Sequence, residues 1–144
     1  MDRRTIRACA LLCATRACVQ ACRMVWAPLA VIIAEEYSLS LVEQASLLSG
    51  FPLGYMCTQV LGGIAADRFG GKPVQSLTLL VFASIMLYAA TAPPGSLYWL
   101  YLLAGLSAGP QQPAYSAMTA AWFTQSQLGR VSAVADMANV AGEL

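Results

Sequence analysis

Gly63-Ile64-Ala65-Ala66-Asp67-Arg68-Phe69-Gly70-Gly71-Lys72-Pro73-Val74 is the stretch whose reading decides the fold. Its charges and paired glycines form a short polar punctuation between two long apolar runs, roughly 42–66 and 74–92. A helix needs about 20 mostly apolar residues to cross a bilayer, and each run is long enough. A charged link this short predicts two antiparallel helices joined in a hairpin. On physics alone, Asp67 suits the N-terminal end of a neighbouring helix, where its charge is favoured by the dipole. Arg68 and Lys72 suit acidic partners or lipid phosphates, and a plain solvated turn accounts for the same residues.

The pattern repeats on either side. A first apolar run covers about 13–34 and ends at Glu35-Glu36-Tyr37-Ser38. After 92, Pro93-Pro94-Gly95-Ser96 is a strong turn signal. A fourth run covers about 97–123 and contains Gly109-Pro110 and Pro113. Prolines inside a span are tolerated when neighbours satisfy the freed backbone groups. Arg130 opens a fifth apolar segment, 130–144, too short to cross as a helix. The expectation is therefore an all-α membrane protein: a short N-terminal tail over 1–12, four full spans and the start of a fifth, as the N-terminal part of a longer chain.

Composition agrees. Of 144 residues, 58% are hydrophobic and 10% charged, against about 45–50% and about 25% in soluble domains. Net charge is +1, too little for an electrostatic grip on nucleic acid. Histidine is absent, which removes the commonest general base and metal ligand. Cys9, Cys13, Cys18, Cys22 and Cys57 form no Cys-x-x-Cys pair and read as small polarisable helix residues, not a zinc site. No paired intramembrane carboxylates or nucleophile–base motif suggest an enzyme, and no cofactor or metal is implied. Arg16 and Arg23 interrupt any signal-peptide core. The basic residues Arg3, Arg4, Arg7, Arg68, Lys72 and Arg130 fall at alternate ends of the spans, whereas Glu35, Glu36 and Glu43 lie at the others. That asymmetry predicts a cytoplasmic N-terminus.

Arg23 is the first functional candidate. An arginine deep in a span costs about 2.5–3.5 kcal/mol to insert, so it faces a cavity or a partner. Its guanidinium suits a carboxylate or phosphate. Arg16, seven residues earlier on the same face, reads as snorkelling to the interface. In the second run, Gly50, Gly54, Gly62 and Gly63 read as close helix packing. Tyr55 and Gln59 are one turn apart and read either as lining a substrate path or as packing with satisfied polar tips.

The pattern Gly-x-x-x-Asp-Arg-x-Gly-x-Lys between spans two and three resembles the signature loop of the major facilitator superfamily. The wider stretch Gly54-Tyr55-Met56-Cys57-Thr58-Gln59-Val60-Leu61-Gly62-Gly63, running on into Arg68-Phe69-Gly70-Gly71-Lys72, is similar to the anion transporters of solute carrier family seventeen. That group includes sodium/phosphate cotransporter-like, vesicular glutamate, sialic acid and plastid phosphate carriers. Ala114 to Trp122 resembles its fourth span, and the likeness covers roughly 23–142. The resemblance implies a twelve-span fold in two six-helix halves, with alternating access to a central site. It implies a cytoplasmic latch at Gly63, Asp67, Arg68, Gly70, Gly71 and Lys72. It implies contact of Arg23 and Tyr55 with a small anion; Gln59, from its spacing with Tyr55, and Tyr101 complete the candidate set, with H+ or Na+ as the candidate coupling ion.

Departures from the family pattern are specific. Cys22 stands where the family carries an acid, Tyr101 where it carries an arginine, and Ala108 where it often carries a second acid. Gln127-Leu128 replaces a Glu-Arg pair, though Arg130 remains. A facilitator of another small solute and a truncated, non-transporting relative therefore stand beside the anion carrier.

Overall fold

The computed structural model describes residues 3–141. They form α1 (Arg3–Met24), α2 (Trp26–Glu36), α3 (Leu41–Phe69), α4 (Gly71–Ala89), a 3-10 turn (Pro94–Ser96), α5 (Leu97–Ala108), α6 (Gln111–Trp122) and α7 (Gln125–Ala141), with no strand among the described residues. α3 and α4 are each long and apolar enough to cross a bilayer.

Proline explains where the helices begin. Pro28, Pro73 and Pro113 each stand third in their helix. There the missing N–H has no intrahelical acceptor to lose. The first apolar run is consequently two helices, not one: α1 stops at Met24, and Val25 makes a turn whose N–H reaches Ala21 O at 3.3 Å. Pro28 can neither donate to the Met24 carbonyl nor let the helix pass it unbent. The fourth run divides in the same way between Ala108 and Gln111, at Gly109-Pro110. Pro52 is the exception, lying inside α3 without ending it. Helix also starts earlier than the first run suggests, at Arg3 and not Cys13.

The charged link differs from the expected loop. Asp67 and Arg68 occupy the last turn of α3, and Lys72 and Pro73 the first turn of α4. Gly70 alone connects them, with φ +87° and its N–H bonded to Ala66 O at 2.9 Å. A side chain is strained at that φ, so glycine is what allows a one-residue connection.

Two compact units divide the chain: Met1–Val25 with Met118–Leu144, and Trp26–Ala117. In the second unit the main contact is α3 against α5. A Cβ on Gly50 would meet Tyr98 O at 3.3 Å. One on Gly54 would collide with Leu102 O, and one on Gly62 with Pro110. From α5, a Cβ on Gly105 would collide with Phe51 O. Thr58 Oγ1 crosses the same seam, donating to Leu106 O at 2.8 Å. Partners on both helices advance together in steps of four, so α3 and α5 run parallel with backbones nearly touching. α4 returns between them in sequence, as a hairpin requires, and packs on both. The start of α3 is fixed by a capping box: Ser40 N–H donates to Glu43 Oε2 at 2.8 Å, and Glu43 N–H to Ser40 Oγ at 3.3 Å.

In the first unit α1 packs on α7. Leu12, Val131 and Ala135 are buried there, and small residues dominate α7.

Candidate functional site

Arg23 lies in the last turn of α1, one residue before the helix gives out. The negative end of a helix dipole favours a cation at that place by about 0.3–1 kcal/mol at a surface. Its Nη1 donates to Gln20 Oε1 at 3.1 Å, and Gln20 is buried. Leu12, Arg16, Gln20 and Arg23 fall on the less exposed side of α1 at helical spacing. Cys22, beside Arg23, is exposed.

Arg16 does more than snorkel. Its Nη2 lies 3.5 Å from Asp136 Oδ1 of α7, with the arginine side chain 15% exposed and the aspartate 68%. Sequence reasoning missed Asp136, because nothing local links residues 120 positions apart. The signal was present all the same: an acid inside an apolar segment, which costs about 2.5–3.5 kcal/mol to insert without a partner.

In the second unit, Tyr55 and Tyr101 stand on either side of Phe51. The Phe51 ring stacks on Tyr55 with centroids 6.3 Å apart and tilts against Tyr101 at 5.3 Å. Phe51 and Tyr101 are buried and Tyr55 is half-buried. Gln59, one turn past Tyr55, is exposed. Phe51 is a second residue that sequence reasoning passed over. Tyr101 thus joins an aromatic cluster at the α3–α5 seam, and Ala108 is buried further along the same helix.

The signature residues cluster at one end of the α3–α4 hairpin. Asp67, Arg68 and Lys72 are exposed, and none enters an ion pair among the described residues. The Arg68 guanidinium lies 5.5 Å from the Phe69 ring centroid. Gly71 is buried at the start of α4. Gly63 faces Pro113 at an ordinary 3.8 Å, unlike the crowded Gly62. At the opposite end of α3 a cavity of about 480 Å³ is lined by Tyr37, Glu43, Ser46, Tyr98 and apolar neighbours.

A hairpin with this charged corner, parallel α3 and α5, and apolar runs interrupted at Val25 and at Gly109-Pro110 are the features to set beside known families. Residues 12–144 match the model of the Major Facilitator Superfamily. The chain belongs to the major facilitator superfamily.

As a major facilitator the chain is an integral, multi-pass membrane protein, and its fold is the partial, all-α form of that family. It is similar to the probable galactarate/D-glucarate transporter of Escherichia coli K12, 29% identical over 109 residues, covering 71% of this chain and 24% of that protein. The chloroplastic ascorbate transporter of Arabidopsis thaliana is 36% identical over 102 residues, 68% of this chain and 19% of that protein. Human sialin is 34% identical over 91 residues, 61% of this chain and 18% of that protein. The facilitator chain thus spans about a quarter or less of the length of these curated relatives.

Proposed function

We propose that the protein carrying this chain is a secondary transporter of small anions, carboxylate- or phosphate-type, working by alternating access. Residues 13–144 contribute part of its N-terminal six-helix bundle, with the N-terminus in the cytoplasm. The single observation that carries this reading is Arg23: a half-buried guanidinium at the point where the first apolar run breaks, oriented by a buried glutamine. Interrupted helices that end inside the membrane are where transporters of this architecture place their sites. The relatives' names point to one chemistry, since galactarate, D-glucarate, hexuronate and ascorbate are all sugar-derived acids. A planar guanidinium binds such a carboxylate through paired hydrogen bonds. Tyr55, Gln59 and Tyr101 supply hydroxyl and amide groups for the solute, and no covalent chemistry is involved. Gly63, Asp67, Arg68, Gly70, Gly71 and Lys72 act as the cytoplasmic latch, their charges open to partners beyond the hairpin.

The test is counterflow in proteoliposomes made from the whole reading frame. Vesicles are loaded with unlabelled D-glucarate, D-glucuronate, ascorbate or phosphate, and uptake of the same labelled anion is followed. The wild type accumulates at least one label, and Arg23→Ala lowers that uptake at least tenfold, with partial recovery in Arg23→Lys. Unchanged uptake in Arg23→Ala removes the arginine from the site.

A second reading rests on Cys22, Tyr101 and Ala108, which stand where the family carries charge. They favour an uncoupled facilitator, with neither H+ nor Na+ carried. A pH or sodium gradient that leaves net uptake unchanged supports that reading.

A further inference from the structure

The cavity at the Ser40 end of α3 is used by none of these readings, since Arg23, Tyr55, Gln59 and Tyr101 stay outside its lining. Its walls come from one compact unit. The end of α2 and the turn after it supply Ile33, Tyr37 and Leu39; the first turns of α3 supply Glu43 and Ser46; the start of α5 supplies Tyr98. Both helix ends at the cavity are locked. Ser38 takes φ +51°, and α2 closes through Ser38 N–H to Glu35 O at 3.4 Å and Leu39 N–H to Ala34 O at 2.9 Å. This is a Schellman closure, which pairs an apolar residue after the turn with one in the last helical turn, here Leu39 and Ile33. On α3 the capping box holds the Glu43 carboxylate: Ser40 N–H and Ser40 Oγ each donate to Oε2 at 2.8 Å. Among the described residues no bond reaches Oε1, so one carboxylate oxygen is left for a ligand. The Ser46 hydroxyl donates to Val42 O at 2.8 Å, so toward a ligand its oxygen can only accept.

We propose that this cavity binds a small monovalent organic ammonium ion. The inference goes beyond the anion-transport reading and does not rest on it. Charge sets the sign of the ligand. Within Trp26–Ala117 the only basic residues are Arg68 and Lys72, which sit at the far end of α3, whereas Glu35 and Glu36 stand exposed directly before Tyr37. A carboxylate ligand would meet an acid here and no cation. One glutamate balances one positive charge. A calcium ion takes six to eight oxygens, which a wall built largely of rings and alkyl groups does not supply. Tyr37 and Tyr98 bring aromatic rings, whose quadrupole attracts an ammonium group. Ile33 and Leu39 take its apolar body. The volume of about 480 Å³ falls in the range of about 300–1,000 Å³ typical of small-molecule sites. An occupant touches α2, α3 and α5 at once, so binding stabilises their folded arrangement.

The test is equilibrium dialysis of the protein made from the whole reading frame, in detergent, against labelled benzyltrimethylammonium, with the saturable part taken as binding. The thermal midpoint is measured alongside. The wild type is expected to bind saturably and to melt higher with the probe present. Glu43→Gln keeps the capping box, since glutamine serves at that position, and should weaken binding about tenfold. Tyr37→Leu should weaken it about fivefold through loss of the ring. A wild type without saturable binding overturns the proposal. So does a folded Glu43→Gln variant that binds as the wild type does. Equal affinity for benzyl alcohol, which carries the ring without the charge, overturns it too and marks a merely apolar hollow. Tyr37 is half exposed, so its variant decides the case if Glu43→Gln does not fold: unchanged affinity in Tyr37→Leu also overturns the proposal.

Discussion

α3 meets α5 through side chains that are absent; α1 meets α7 beside charges that are present. At the first contact Gly54, Gly62 and Gly105 bring backbones so close that a methyl group has nowhere to go. At the second, Leu12, Val131 and Ala135 form a small apolar seam and Arg16 reaches Asp136 at its edge. The difference is one of adjustability. Close glycine packing has one geometry and tolerates no alternative. An ion pair at an exposed edge can break and re-form while the helices stay in place.

The sharpest way to break the comparison is to fill the glycine seam. Gly54→Leu and Gly105→Leu should each prevent folding, since the new side chain meets main-chain atoms and not a movable side chain. The check is the yield of monodisperse protein after detergent extraction, with Gly63→Ala as the control that stays normal because its neighbour is 3.8 Å away. Neutralising the edge of the other contact with Arg16→Gln should leave that yield within about twofold.

A smaller effect is expected where the hairpin turns. Gly70→Ala puts a side chain at φ +87° and should destabilise by about 1–2 kcal/mol, read as a lower thermal midpoint in detergent. An unchanged midpoint would mean that the turn relaxes to another geometry. Smallest is the cap of α3: Ser40→Ala removes the hydroxyl that Glu43 N–H uses and should cost about 1 kcal/mol. A drop larger than that of Gly70→Ala would reverse the ranking of the two ends of α3.

Much of the fold was legible in the sequence, because membrane spans are read from composition and the charged corner from its spacing. The glycine seam was visible as Gly50, Gly54 and Gly62, though not its partner helix. The breaks were only half legible. Gly109-Pro110 drew notice as an interruption, whereas Pro28 acts at the third helical position and cuts the chain upstream of itself, at Val25. The Ser40–Glu43 capping box is a local signal that was passed over. In the candidate site, Arg23 stood out as an expensive charge. The grouping of Tyr55 and Tyr101 around Phe51 depends on two helices packing in parallel, which no local pattern encodes. The same holds for Arg16 and Asp136, distant in sequence and joined only by α1 lying on α7.

The single-residue connection at Gly70 also decides where this chain can change length. One residue more or less there turns α4 by about 100° relative to α3, at 3.6 residues per turn. Gln75 and Phe82, now covered, would rotate into the open while exposed neighbours took their places. Reporter tags and natural insertions therefore belong in the connections at 90–93 or 123–124, and the charged corner is expected to vary in side chains while keeping its count of residues.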